Sequence, residues 1–211
     1  MSVSHRRTWG SRTRRGREAG QGLVELALVF PLFMLLMLFI IEFAFVFSAL
    51  LGVNYASRNA ALTAAEAGND RLADCLILQQ VEGSIGAPGN KANVTTVTIY
   101  RSDQSGSARL ATLVYTRTTN PALFTTCTKA STTLSVPYSL TSGTYTYDQR
   151  CNILIGCPNL VVAPATSRPI DTIGVEISYR HTWVTPIGNF GLAGTGVTLT
   201  QSNAMRMEPI L

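Results

Sequence analysis

Three hydrophobic patterns follow one another along the chain. From Leu23 to Ile41 almost every position is apolar, Glu25 is the only charge, and Pro31 is the only helix-breaking residue. A bilayer core of roughly 30 Å needs about 20 such residues in a helix, so this stretch predicts a transmembrane helix, with bounds of 21–51 once the flanking apolar residues are added. Beyond it, Val53, Ala56, Ala60, Ala64 and Ala67 recur at helical spacing while Arg58 and Glu66 lie off that stripe. The helix therefore continues, and its small residues permit close backbone approach. Packing onto a sheet of the same chain is the preferred reading of this stripe over a contact between chains. Gly68, Asn69 and Asp70 end the helix and cap another, whose face of Leu72, Leu76, Ile77 and Val81 runs to about Ile85. Residues 52–85 are thus a helical extension and a second helix.

The period then changes to two. Val94–Tyr100 and Arg109–Arg117, joined by a polar turn, predict a β-hairpin. Ile173, Val175, Ile177, Tyr179, His181 and Trp183 alternate with Gly174, Glu176, Ser178, Arg180 and Thr182, which predicts a strand with one buried and one wet face. Val197, Leu199, Met205 and Met207 continue into a last strand. Residues 86–211 read as an exported antiparallel β domain, with a Thr/Ser-rich, Cys-containing insertion at 120–169 held by disulfides and short irregular strands. The fold class is α+β: a long N-terminal transmembrane helix, extended by an amphipathic helix, packed on a small antiparallel sheet.

Charge adds an orientation. The leader, 1–20, holds Arg6, Arg7, Arg12, Arg14, Arg15 and Arg17 against Glu18, and the rest of the chain carries as many acidic as basic groups. The pI of about 9.3 reports this leader and no basic surface. Arg-rich flanks stay on the cytoplasmic side of a span. The amino end is therefore expected in the cytoplasm and the carboxyl domain on the exported side of the membrane. A nucleic-acid arm is the weaker reading, because nothing elsewhere extends a phosphate contact. The first nineteen residues lack apolar periodicity and are expected to be disordered.

Cys75, Cys127, Cys151 and Cys157 all lie on the exported side. An even count in an oxidising compartment favours disulfides, and four cysteines allow three pairings; Cys151–Cys157 with Cys75–Cys127 is preferred because the first closes a short loop. Free buried thiols are the alternative. No C-x-x-C occurs, so no metal is expected, and no other cofactor signature appears. His181 reads as a core or rim residue, the Gly191–Gly196 loop lacks a phosphate-loop Lys, and Asp70 and Asp74 read as a solvated helix face. No catalytic constellation emerges, and the chain is not expected to be an enzyme.

Gly20 precedes Gln21, Gly22, Leu23, Val24 and Glu25. A cut after Gly20 alone, among the nearby glycines, places a glutamate at the fifth mature position, an arrangement that resembles the type IV prepilin processing site. Together with Pro31, with Ile40, Ile41, Glu42 and Phe43, and with the run Tyr55 to Ala61 including Arg58, the stretch 16–66 resembles the TadE-like family. Its members are pilin-like proteins of tight-adherence pilus assembly systems. Leu26 stands where major pilins of this system carry Tyr, which favours a minor pilin or pseudopilin.

The resemblance implies a subunit of a tight-adherence, Flp-type pilus or a related secretion machine, processed between Gly20 and Gln21 by a prepilin peptidase. Its implied partners are the lipid bilayer, that peptidase, other pilins or pseudopilins and an inner-membrane assembly platform, with no nucleic acid. Glu25 is the implied assembly residue. A carboxylate in hydrocarbon costs several kcal/mol unless paired or protonated, and the new α-amine of Gln21, or a neighbour's, would pair it. Reach to nearby headgroups is the plainer account. Pro31 should bend the span. Glu42, about 26 Å beyond Glu25, is expected to be solvated at the outer interface. The alternative function is an uncleaved bitopic protein whose exported domain binds a ligand or a cell-wall component.

Overall fold

A computed structural model describes residues 15–86, 89–103, 105–106, 108–152, 170–185 and 195–207, with side chains from Gly20 onward. Cys157, most of the leader, the last third of the insertion and most of the Gly191–Gly196 loop lie outside the described residues. The chain divides into two compact units, 1–41 and 42–211.

The first unit consists of helix α1, which runs Arg15–Ala67 and so continues into the second unit. The helix begins inside the stretch expected to be disordered: Arg15 to Ala19 are helical. They precede an apolar run whose backbone bonds have already nucleated, and extending a helix by a turn costs far less than starting one.

The second unit is a helix-backed sheet. Strands β1 (Val94–Ser102), β2 (Arg109–Arg117), β5 (Tyr138–Gly143), β6 (Thr172–Thr182) and β7 (Gly196–Arg206) form an antiparallel sheet in the order β5-β2-β1-β6-β7. Strands β3 (Thr125–Lys129) and β4 (Thr132–Val136) make a separate hairpin. The stretch expected to be an insertion therefore supplies a strand of the main sheet, β5, as well as that hairpin. Its Thr and Ser residues suit an edge, where the outer face is wet.

One row of the buried face shows how register builds the core. Ile99 stands opposite Leu113 of β2 and Val175 of β6, and all three are fully buried. Onto this face pack Val53, Ala56, Ala60 and Ala64 of α1, and Ile77, Leu78 and Val81 of α2 (Ala73–Ser84). The alanine stripe thus serves intramolecular packing. On the other face Gly174 is buried because the Tyr100 ring lies across it; a Cβ there would sit 2.2 Å from the ring. The Arg109 guanidinium lies 4.9 Å above the same ring and pairs with Glu176.

Between the helices, Gly68 takes φ +58°, a left-handed conformation that glycine adopts without a Cβ penalty. Its N–H donates to the Ala64 carbonyl at 3.2 Å, closing α1. Asp70 Oδ1 accepts from the Leu72 N–H at 2.9 Å and starts the next turn. The inward face of α2 is rotated from the expected one: Leu72 and Leu76 are half-buried, while Asp74, Cys75 and Leu78 point inside. The solvated face expected for Asp70 and Asp74 fails for Asp74, which is buried.

Candidate functional site

The candidate site of the first unit is the span itself. From Leu23 to Ile41 the side chains stay largely exposed around the whole helix, Leu28 to 75%. At 1.5 Å per residue that segment is about 28 Å long, which matches a hydrocarbon core. Gly20 and Gln21 are both exposed on the first described turns, and Pro31 sits inside the helix. The Gln21 side-chain amide donates to Glu25 Oε1 at 3.2 Å. The structure therefore brings two of the expected residues, Gln21 and Glu25, together on one turn, as i to i+4 spacing requires.

In the second unit the expectation for Glu42 is overturned. Glu42 is only 3% exposed. Its Oε1 accepts the Val184 N–H at 3.0 Å, its Oε2 accepts the Thr185 N–H at 2.8 Å, and His181 Nε2 lies 3.2 Å from Oε1. The end of β6 leaves these backbone donors without ladder partners, and the carboxylate supplies them. His181 is a buried residue, but its carboxylate partner could not be read from its own strand. Trp183 packs edge-on against the His181 ring at 5.9 Å.

A second buried charge cluster holds the far end of α1. Arg150, fully buried, pairs with Asp74 through Nη2, reaches the Gly68 carbonyl at 3.5 Å through Nη1, and lies 5.5 Å over the Tyr145 ring. Tyr115 donates to the other Asp74 oxygen at 3.1 Å, and burial and that carboxylate push the phenol well above its usual range. Tyr145 and the Cys151 N–H both donate to Asp171 Oδ2. Farther along α2, Glu82 accepts from Tyr138 at 2.7 Å and pairs with Arg117; burial, then Glu82, raises the Tyr138 phenol as well. Lys129 pairs with Asp70, whose carboxyl is held below its ordinary value by the Leu72 N–H and Lys129 in spite of burial. Each of these clusters joins elements distant in sequence.

Cys75 and Cys127 are bonded, with Cα atoms 6.0 Å apart, and join α2 to β3. Cys151 is disulfide-bonded as well. Among the described residues no group of three or more His, Cys, Asp or Glu could hold a metal.

The outer face of α1 in the second unit bears large exposed apolar side chains together with Asn54, Arg58 and Glu66. Phe43, Phe47, Leu51, Tyr55 and Leu62 follow one stripe and remain 47–72% exposed, opposite the buried Val53, Ala56, Ala60 and Ala64.

Residues 20–62 match the family model of TadE-like proteins. The matched segment holds Gly20, Gln21, Glu25, Pro31, Glu42 and the whole exposed stripe. The match lies within α1. One N-terminal helix of spanning length and composition fits a single-pass membrane protein. Neither a curated protein nor a solved structure matches the chain.

Proposed function

We propose that the chain is a membrane-anchored, pilin-like subunit, a minor pilin or pseudopilin, that serves the assembly of a tight-adherence type IV pilus or a related secretion machine. The observation that carries this reading is the continuity of α1. The apolar helix of the first unit belongs to the same helix as a segment whose inner side packs in the domain core and whose outer side exposes Phe43, Phe47, Leu51, Tyr55 and Leu62. A simple anchor needs no such outer stripe; a subunit that packs beside others does. The TadE-like match over the same residues supports it.

In this reading the Arg-rich leader stays in the cytoplasm, and the domain lies beyond an inner membrane, where the Cys75–Cys127 bond suits an oxidising compartment. A prepilin peptidase cuts the exposed bond between Gly20 and Gln21. The cut creates an ammonium on the residue whose amide already reaches Glu25, so the buried-charge cost of Glu25 is offset at the same depth.

The test is mass spectrometry of the amino terminus after membrane extraction, from cells with an active prepilin peptidase. A chain starting at Gln21, with Gly20→Ala left unprocessed and Glu25→Ala processed but defective in pilus assembly, is the expected result. A chain starting at Met1 in those cells would sink the processing step, and normal piliation in cells lacking the protein would sink the assembly role.

A further inference from the structure

A cleft at one end of the main sheet plays no part in the buried clusters. It measures about 600 Å³, and its lining includes Val94, Phe124 and Pro137 beside Thr95, Thr116 and Thr118. Small-molecule sites run about 300–1,000 Å³, mostly apolar, with a few polar groups that fix orientation. The cleft has that size and that mixture. The charged residue of its lining, Arg117, is already paired with Glu82, so the cleft offers no net charge.

Register carries hydroxyls from the cleft across the whole sheet. Ser139 of β5 stands opposite Thr116 of β2, and Thr116 opposite Thr96 of β1. Thr96 in turn faces Ser178 of β6, and Ser178 faces Thr200 of β7. Their chain neighbours Tyr138, Tyr115, Val97 and Ile177 lie in the core, so alternation turns the row to the opposite face. Five strands in this order make the row roughly 19 Å long at about 4.8 Å per spacing. Thr200 is exposed, and the other four are half-buried. Thr116 Oγ1 accepts from Thr141 at 2.7 Å and keeps its own O–H to give, since a hydroxyl has one donor and two acceptor sites.

The chemistry of this face narrows its ligand. β1 and β2 each have a neighbouring strand on both sides, so an extended peptide finds no backbone edge to pair with. A phosphate or carboxylate would ask for an unpaired cation in the cleft. Arg180, next along β6 on this face, gives Nη2 to Thr195 Oγ1 at 2.7 Å. An acyl chain would strip water from the row's hydroxyls without replacing it. What fits is an uncharged chain rich in hydroxyls that also has apolar faces. A linear glycan has both, and acetamido methyl groups suit the apolar wall of the cleft.

We propose that the cleft and the hydroxyl row form a glycan-binding face that takes a neutral chain of N-acetylhexosamine units from the cell wall. Phe124 and Pro137 meet the apolar face of one ring and its acetamido group. The row from Thr116 towards Thr200 hydrogen-bonds the rings that follow. The choice of a cell-wall glycan rests on the exported placement in the reading above; binding by the purified chain does not.

The test is calorimetric titration of the full-length chain, in a detergent without a sugar headgroup, with N-acetylglucosamine hexamer, its dimer and cellohexaose. The hexamer should bind at least roughly tenfold more tightly than either of the others, because only it fills both cleft and row with acetamido groups present. Thr96→Val and Thr116→Val should each weaken it about fivefold, the worth of one hydrogen bond, and Phe124→Ala about tenfold. Thr133→Val, on the separate hairpin, should leave it unchanged. Formation of the Cys75–Cys127 bond in every variant is the folding control. Isolated cell-wall sacculi should retain the chain, and the hexamer should release it. No binding at millimolar hexamer, equal affinity for cellohexaose, wild-type affinity in both Thr variants, or no retention on sacculi would overturn the proposal. So would tighter binding of a uronic acid polymer that Arg180→Gln abolishes, or an oligomer of the chain that Thr96→Val dissociates, which would give the face to a second copy. Glycan binding by a chain that pili do not need would remove the pilin-like reading and leave the glycan face. Pili that need a chain without glycan binding would do the reverse.

Discussion

Glu42 and His181, 139 residues apart in sequence, meet with Oε1 and Nε2 at 3.2 Å inside the domain. The carboxylate also takes two backbone N–H groups from Val184 and Thr185. One side chain of α1 thus closes the end of β6 and fixes the rotation of α1 about its own axis. That rotation decides which face is presented outward.

Replacing Glu42 by Ala should therefore destabilise the domain by about 1–3 kcal/mol, because two part-buried backbone N–H groups lose their acceptor. Glu42→Gln keeps one acceptor oxygen and should cost less. Thermal unfolding of the detergent-solubilised protein checks the order Glu42→Ala below Glu42→Gln below wild type.

Asp74→Ala leaves the fully buried Arg150 without its counter-ion and should cost about 3–5 kcal/mol. Replacing both members with apolar residues of similar volume, Asp74→Leu with Arg150→Met, should cost less than Asp74→Ala. Denaturant unfolding of the single and paired variants decides it; equal losses would mean that the pair adds more than it costs to bury.

The Cys75–Cys127 bond closes a separation of 52 residues between α2 and β3. Changing both to Ala should lower stability by about 2–5 kcal/mol, and proteolysis should begin in the 120–137 hairpin region that the bond holds against α2.

Alkaline pH should unfold the domain. Tyr115 and Tyr138 are both raised above the ordinary phenol value of about 10. Above that pH the unfolded chain releases protons that the folded one keeps, so stability is complete below about pH 10 and falls as pH rises beyond it. Tyr115→Phe and Tyr138→Phe should flatten the decline; a stability profile with the same slope in the double variant would refute the assignment.

Much of this was legible in sequence because it is set by near neighbours. The span from Leu23 to Ile41 declares itself by composition, the Ala56–Ala60–Ala64 stripe by period, and β1, β2 and β6 by alternation. Gly20 and Glu25 are related by spacing alone. Even the inward face of α1 beyond the span could be read from its small residues.

What only the tertiary structure decided are the pairs that close long loops. Glu42 looked like an interface carboxylate because nothing within a turn of it accepts or donates. Its donors arrive from the end of a strand near the other end of the chain. Asp74 looked solvated until Arg150 came from a Thr/Ser-rich stretch with no local use for a cation, and β5 looked like part of an insertion until it found the free edge of β2. Hydrophobic period is a local property, fixed by the geometry of one element. The partner of a buried charge depends on which elements become neighbours, and that follows only when the whole core has closed around it.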